Sequence, residues 1–251
     1  MKCEKKTKKI RPSFFNLRKR DQDALSEVIQ KINNNEWNTP TFSLKKYKLS
    51  TPEMIQLIDA LDKSQMITHL VIEGFAFNQT AATLLANWLG QQNKLKFIEC
   101  SIYGVDTRIP QIIINELVKK PHLELEIFTV SQNHVGDECA IALAQWLKTN
   151  NTLKILALCW RAGITDSGAI ALANALEKNS SLEEIHLFSN KEISDASIAQ
   201  FSKLLSVNHF LKKVDLSYCA DALTETTQTL LTNQNDSRLL FGTPSKRCGI
   251  R

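Results

Sequence analysis

The chain has 251 residues, 43% hydrophobic and 23% charged, proportions that exclude fibrous, mucin-like and wholly disordered classes. No apolar run approaches the roughly 18–20 residues a membrane helix needs, the longest being fragments such as Ile112, Ile113 and Ile114, so no transmembrane segment is expected. The net charge of +5 is uneven: residues 1–20 hold +8 and the last seven +3, leaving −6 over residues 21–244, and an acidic body argues against nucleic acid as a partner.

In chain order, residues 1–20 read as a basic, flexible tail. No apolar h-region follows the basic start, because Ile10 to Leu17 is broken by Arg11, Pro12, Ser13 and Asn16, so no ordinary secretory signal is expected. Residues 21–38 read as an N-terminal cap helix, with Ala24, Leu25, Val28, Ile29 and Ile32 on one face. From residue 39 to about 238 one frame returns seven times: Thr39-x-x-Phe42-x-Leu44, Ile67-x-x-Leu70-x-Ile72, Leu95-x-x-Ile98-x-Cys100, Leu125-x-x-Phe128-x-Val130, Leu153-x-x-Leu156-x-Leu158, Leu182-x-x-Ile185-x-Leu187 and Leu211-x-x-Val214-x-Leu216. The starts lie 28, 28, 30, 28, 29 and 29 residues apart. Each start opens a short strand and is followed by a helical stripe, such as Leu143, Trp146 and Leu147 or Leu172, Ala175 and Leu176. Helix starts are marked by Thr51 before Pro52 and Glu53, by Gly136 with Asp137, and by Ser194 before Asp195. Residues 239–251 read as a C-terminal cap and tail, with Leu239, Leu240 and Phe241 as cap material.

The pattern Leu-x-x-Leu-x-Leu-x-x-Asn/Cys, best formed by residues 153–176 and 182–190, resembles leucine-rich repeats of the ribonuclease-inhibitor type, as in NOD-like receptors and the Ran GTPase-activating protein. The resemblance implies an α/β right-handed solenoid, a horseshoe arc of about seven strand–helix repeats with a parallel sheet on its concave side. It also implies a side chain at position nine that ties down the backbone as the strand turns away. Asn133, Asn190 and Cys219 fit that role, whereas Tyr47, Phe75, Tyr103 and Arg161 depart from it.

Counting the first residue of each repeat as position one, strand alternation sends positions one, four and six inward and positions three, five and seven outward. The outward columns, with position eight, place Trp160, Phe188 and Tyr218 on three consecutive turns, beside Glu184, His186 and Asp215, with Phe97 and Glu99 further along. Aromatic anchors among a few charges point to a protein-binding surface, and these eight residues are the expected partner-binding set. Seven strands at about 4.8 Å give a face roughly 30 Å wide, which suits a protein or peptide rather than a small-molecule substrate.

Two catalytic arrangements come from the same columns. Cys159, His186 and Asp215 are a nucleophile, base and orienter by residue type, but no oxyanion-stabilising turn lies beside them. The Ran GTPase-activating protein resemblance raises regulation of a GTPase, with Arg108 and Arg161 near strand-to-helix loops. The six cysteines form no Cys-x-x-Cys pair or zinc-finger spacing, and Cys248 stands four residues from the end before an Arg that prenylation seldom accepts. The expectation is therefore a monomeric, cytoplasmic protein-binding module that is not an enzyme and uses no cofactor or metal. Such Lys- and Asn-rich single-domain repeat proteins resemble host-directed effectors of intracellular bacteria, which implies a host protein as partner.

Overall fold

Every repeat after the first begins with a buried leucine or isoleucine, and each enters a strand whose positions four and six carry branched or aromatic side chains, Cys100 excepted. The computed structural model describes residues 22–45, 49–73, 79–101, 108–120, 123–131, 135–219, 224, 225, 227, 229 and 236–242. The seven expected strands all form: β1 (Thr41–Lys45), β2 (His69–Glu73), β3 (Phe97–Ser101), β4 (Ile127–Ser131), β5 (Ile155–Cys159), β6 (Glu184–His186) and β7 (Lys213–Ser217). An eighth, β8 (Leu239–Gly242), completes one all-parallel sheet in sequence order.

The helices are α1 (Gln22–Asn33), α2 (Thr51–Lys63), α3 (Gln79–Leu89), α4 (Arg108–Leu117), α5 (Gly136–Leu147), α6 (Asp166–Leu176) and α7 (Asp195–Val207). Strand and helix alternate, and successive helices pack on one another as successive strands pair. Among the described residues no helix is long and apolar enough to cross a membrane.

The 28-residue ruler holds without a slip. Position three runs Thr41, His69, Phe97, Ile127, Ile155, Glu184, Lys213 as direct partners across seven strands. The third repeat, with its spacing of 30 and Pro110 in α4, keeps the same register, so its extra residues are absorbed outside the strands. Leu156, Ile185 and Val214 at position four are fully buried. Together with the helix stripes they form one apolar core along the whole arc. At the start of the stack, α1 buries Leu25, Val28 and Ile32 against α2.

Polar ladders close the later turns. At the corner before a strand, Asn179 Nδ2 donates to Leu147 O (2.8 Å) and Asn150 O (3.1 Å), and its Oδ1 accepts from Ser181 N and Leu182 N. Asn208 repeats this one turn on, donating to Leu176 O and Asn179 O. The ladder ends on Arg238, whose guanidinium donates to Leu205 O, Asn208 O and Leu211 O. These bonds satisfy carbonyls left over at helix C-termini, which would otherwise be buried unpaired.

A second ladder runs along the helix N-termini. Asp137 in the first turn of α5 accepts from Thr165 N, Thr165 Oγ1 and Gly168 N, so it fastens the start of α6. Asp166 does the same for α7 through Ser194 N, Ser194 Oγ and Ser197 Oγ, and Asp195 accepts from Thr224 N. At position nine, Asn190 donates to Leu158 O and Leu187 O, and Cys219 Sγ donates to Leu187 O. Tyr47, Phe75, Tyr103 and Asn133 lie outside the described residues, as does the tail of residues 1–20.

One helix start differs from the sequence reading. Ser50, rather than Thr51, caps α2, with its hydroxyl accepting from Glu53 N while the Glu53 carboxylate accepts from Ser50 N at 2.8 Å. Thr51 is the first helical residue, which puts Pro52 where its missing N–H costs nothing. Ser194 is the cap of α7 as its sequence position suggests.

Candidate protein-binding face

Positions three, five and seven all leave the sheet on the side away from the helices, but they differ in depth. Every described member of column three is half-buried: Thr41, His69, Phe97, Ile127, Ile155, Glu184 and Lys213. Column five is largely closed to water, with Val71, Thr129, Ala157, His186 and Asp215 buried and Glu99 half-buried. Neighbouring side chains stand one strand spacing apart, about 4.8 Å, and crowd each other in the middle of the strands. The expectation that His186, Phe188 and Asp215 are exposed is therefore corrected: they point outward but are only 2%, 8% and 2% exposed.

Trp160 is different. It is 50% exposed at the end of β5. Its ring meets Phe188 edge to face, with centroids 5.2 Å apart and planes at 82°. Phe188 belongs with Ala157 and Cys159 to a small apolar cluster separate from the main core. Trp160 has φ 57° and Arg161 φ 61°, and Ser189 (64°) and Tyr218 (59°) repeat the left-handed turn in the next two repeats. A bulky residue in this region costs about 1–2 kcal/mol, so the turn geometry, fixed by Trp160 N donating to Phe188 O and Arg161 N to Ser189 O, holds the indole there against its own preference. Tyr218 is half-buried.

The acidic part of the face centres on His186. Its Nε2 lies 2.9 Å from Glu184 Oε2, and its Nδ1 lies 3.6 Å from Asp215 Oδ2, an attraction just beyond hydrogen-bond distance. Burial pushes the Asp215 carboxyl up, but His186 and the hydrogen bonds from Ser217 outweigh it, so the group sits below its ordinary value. Further along, His69 stacks on Phe97 with centroids 5.6 Å apart and planes at 22°. Burial lowers the His69 pKa, against the pull of Glu126.

Cys159 is not poised as a nucleophile. Its Sγ donates to the carbonyl of His186, not to the ring, and both ring nitrogens of His186 face carboxylates. Burial, then the negative charge of Asp215, pushes the thiol well above its ordinary value, which keeps it protonated. Arg161 is exposed beside Trp160, and the side chain of Arg108 lies outside the described residues. Among the described residues no group of three histidine, cysteine or acidic side chains is placed to hold a metal ion.

The structure thus brings Trp160, Glu184, His186, Phe188 and Asp215 into one patch over β5 to β7, and places Phe97 and Glu99 on β3, two strands from β5. The sequence reading passed over two features in the same columns. Ile127 and Ile155 join Phe97 as a half-exposed apolar row across three adjacent strands. Position two alternates Lys96, Glu126, Lys154, Glu183, Lys212, with ion pairs Lys154–Glu126 (2.9 Å) and Lys212–Glu183 (2.6 Å) along the rim. Both were readable by extending the column alignment to every strand position.

A leucine-rich-repeat family model matches residues 178–200, the segment running from the end of α6 through β6 into α7. No curated protein is significantly similar to the chain. The solved structure of leiomodin-1 actin-binding site 2 (ABS2) is similar at 23% identity over 52% of this chain and 72% of that chain, with a TM-score of 0.42. With its in-register parallel strands, one helix between each pair and a matched repeat at residues 178–200, the chain folds as an α/β leucine-rich-repeat solenoid arc.

Proposed function

We propose that the chain is a protein-binding module of the ribonuclease-inhibitor repeat type, engaging its partner through the strand face and carrying no chemistry of its own. The observation that carries this reading is Trp160. A half-exposed indole, held in a disfavoured backbone turn over a second apolar cluster, has no role in the main core and is the kind of residue that anchors an interface. The half-buried row of Phe97, Ile127 and Ile155 extends the apolar surface across the sheet. The resemblance to host-directed effectors supports a host protein as the partner.

The test is affinity capture from host-cell lysate with the wild type and with Trp160→Ala combined with Phe188→Ala. A partner held by the wild type and lost by the double variant, at unchanged circular dichroism, supports the reading. Equal capture by both proteins sinks it.

A further inference from the structure

Seven large apolar side chains stand exposed among the described residues, and three of them share one rim of the solenoid: Met66, Val207 and Phe210. The rim is made by the corners that lead from each helix into the next strand. Val207 closes α7 and Phe210 follows in the corner, 59% and 58% exposed, the highest values of the set. Met66, 52% exposed, lies in the α2-to-β2 corner near the other end of the arc.

Hydrogen bonds stack these corners on one another. Lys94 Nζ donates to Ser64 O (2.6 Å), Asn150 Nδ2 to Leu123 O (3.4 Å), Asn179 Nδ2 to Asn150 O (3.1 Å) and Asn208 Nδ2 to Asn179 O (3.0 Å). A solenoid bends about an axis parallel to its strands, so corners at one end of the strands lie close to a plane. An even, planar edge fits a planar occupant.

Charge says what kind of plane. Exposed Lys120, Lys148 and Lys178 lie on the same rim between its apolar ends, each at the close of a helix. Lys178 and Val207 hold equivalent places, before Asn179 and Asn208, so the apolar pair stands next to a cation. Carboxylates on this rim are mostly engaged: Glu124 by Lys96, Glu126 by Lys154, Glu183 by Lys212 and Asp236 by Arg238, while Asp62 accepts from Trp88 and Gln92. Glu36 accepts from Asn34, and Glu177 is exposed beside Lys178. The opposite rim is acidic, with Glu138, Glu192 and Glu225 exposed beside the aspartate ladder, against Arg161 and Lys191. Helix dipoles account for lysines at C-termini and acids at N-termini. They do not account for Met66, Val207 and Phe210 in water.

We propose that the protein rests on an anionic lipid surface by this rim. Val207 and Phe210 enter the headgroup layer, Met66 touches it near the start of the arc, and Lys120, Lys148 and Lys178 face lipid phosphates. The strands then stand upright on the surface with Trp160 at their far end, and the strand face stays open to a protein partner. The proposal goes beyond the protein-binding reading and does not depend on it. Residues 1–20 add a charge of +8 that the same surface attracts.

The test is co-sedimentation of the full chain with vesicles of phosphatidylcholine alone and of phosphatidylcholine with an equal part of phosphatidylserine. The wild type is expected to bind the anionic vesicles at least about tenfold more tightly, with an affinity that falls as salt rises. Val207→Ser with Phe210→Ser should weaken that binding at least about fivefold. Lys120→Glu, Lys148→Glu and Lys178→Glu together should weaken it about tenfold. Ile55→Ser with Ile141→Ser, exposed in the middle of α2 and α5 and away from the rim, should leave it unchanged. All these side chains are exposed, so circular dichroism should be the same in every variant. Undiminished binding by both rim variants would mean that the basic first twenty residues hold the vesicle alone, and it overturns the proposal. Equal binding to uncharged vesicles overturns it too, as does a loss in the Ile55 and Ile141 variant as large as in the rim variants. None of these outcomes bears on the capture test of the strand face.

Discussion

Gly168 shows how a single residue is dictated by its neighbour in the previous repeat. A Cβ at this position would stand 2.5 Å from Asp137 Oδ1 and 2.9 Å from Ala140 Cβ. Both belong to α5, so the contact is what lets α6 come close enough for Gly168 N to donate to Asp137. Gly168→Ala is expected to lower stability by about 1–3 kcal/mol through overpacking, despite alanine's better helix propensity. The measurement is the urea midpoint; a stabilised variant would show that the two helices can part without loss. Trp160 is the opposite case. Its ring is half-exposed against Phe188, and its left-handed backbone is shared by Ser189 and Tyr218 in the next two repeats, so the turn belongs to the repeat and not to the indole. The strain was not legible in the sequence, since no glycine or asparagine marks that turn at Trp160, Ser189 or Tyr218.

At the scale of helices and strands, the aspartate ladder gives the stack a defined response to acid. Burial raises the Asp166 carboxyl, but hydrogen bonds from Ser194 and Ser197 outweigh it and leave the group below its ordinary value. Asp195 is lowered first by Thr224, and Asp236 first by Arg238. A carboxyl whose folded pKa lies below its unfolded value stabilises the fold above the unfolded pKa, near 4, and loses that contribution as pH falls through the folded pKa. Stability is therefore expected to hold from neutral pH to about 5 and to fall below about 4. Asp166→Asn should lower stability at pH 7 and flatten the fall between pH 5 and 3. Denaturant titrations of both proteins across that range check it, and an unchanged slope in the variant would remove the ladder as its cause. The ladder was visible in the sequence, as Asp137, Asp166 and Asp195 recur at the repeat period, and so were Asn150, Asn179 and Asn208. The partners in the neighbouring repeat were not, because those bonds, such as Asp137 to Thr165 and Asn179 to Leu147, join residues about thirty apart in the chain.

Over the whole molecule, each repeat touches only its neighbours, so the ends are where the stack opens first. Arg238 covers three carbonyls at the last described corner, all from the α7-to-β7 turn. Arg238→Ala leaves those acceptors without their donor and is expected to raise amide hydrogen exchange over residues 205–217 while the β4–β5 region keeps its protection. Faster exchange spread evenly along the arc would instead mean that the solenoid opens as one unit. The same one-dimensional order explains why the face is continuous. Eight parallel strands without a crossover put equivalent residues side by side, so any pattern in a column becomes a pattern in space.

That order was largely set by the sequence alone. A 28- to 30-residue period with apolar residues at positions one, four and six determines strand, helix, register and the inward side, because one repeat cannot bury its apolar face without the next. The faint first repeat at Thr39 and the long third repeat both fall into register for that reason. Depth on the outward side was decided only by the tertiary structure. Alternation tells which way His186, Phe188 and Asp215 point, but their burial comes from side chains on neighbouring strands, roughly 4.8 Å away in space and nearly thirty residues away in the chain.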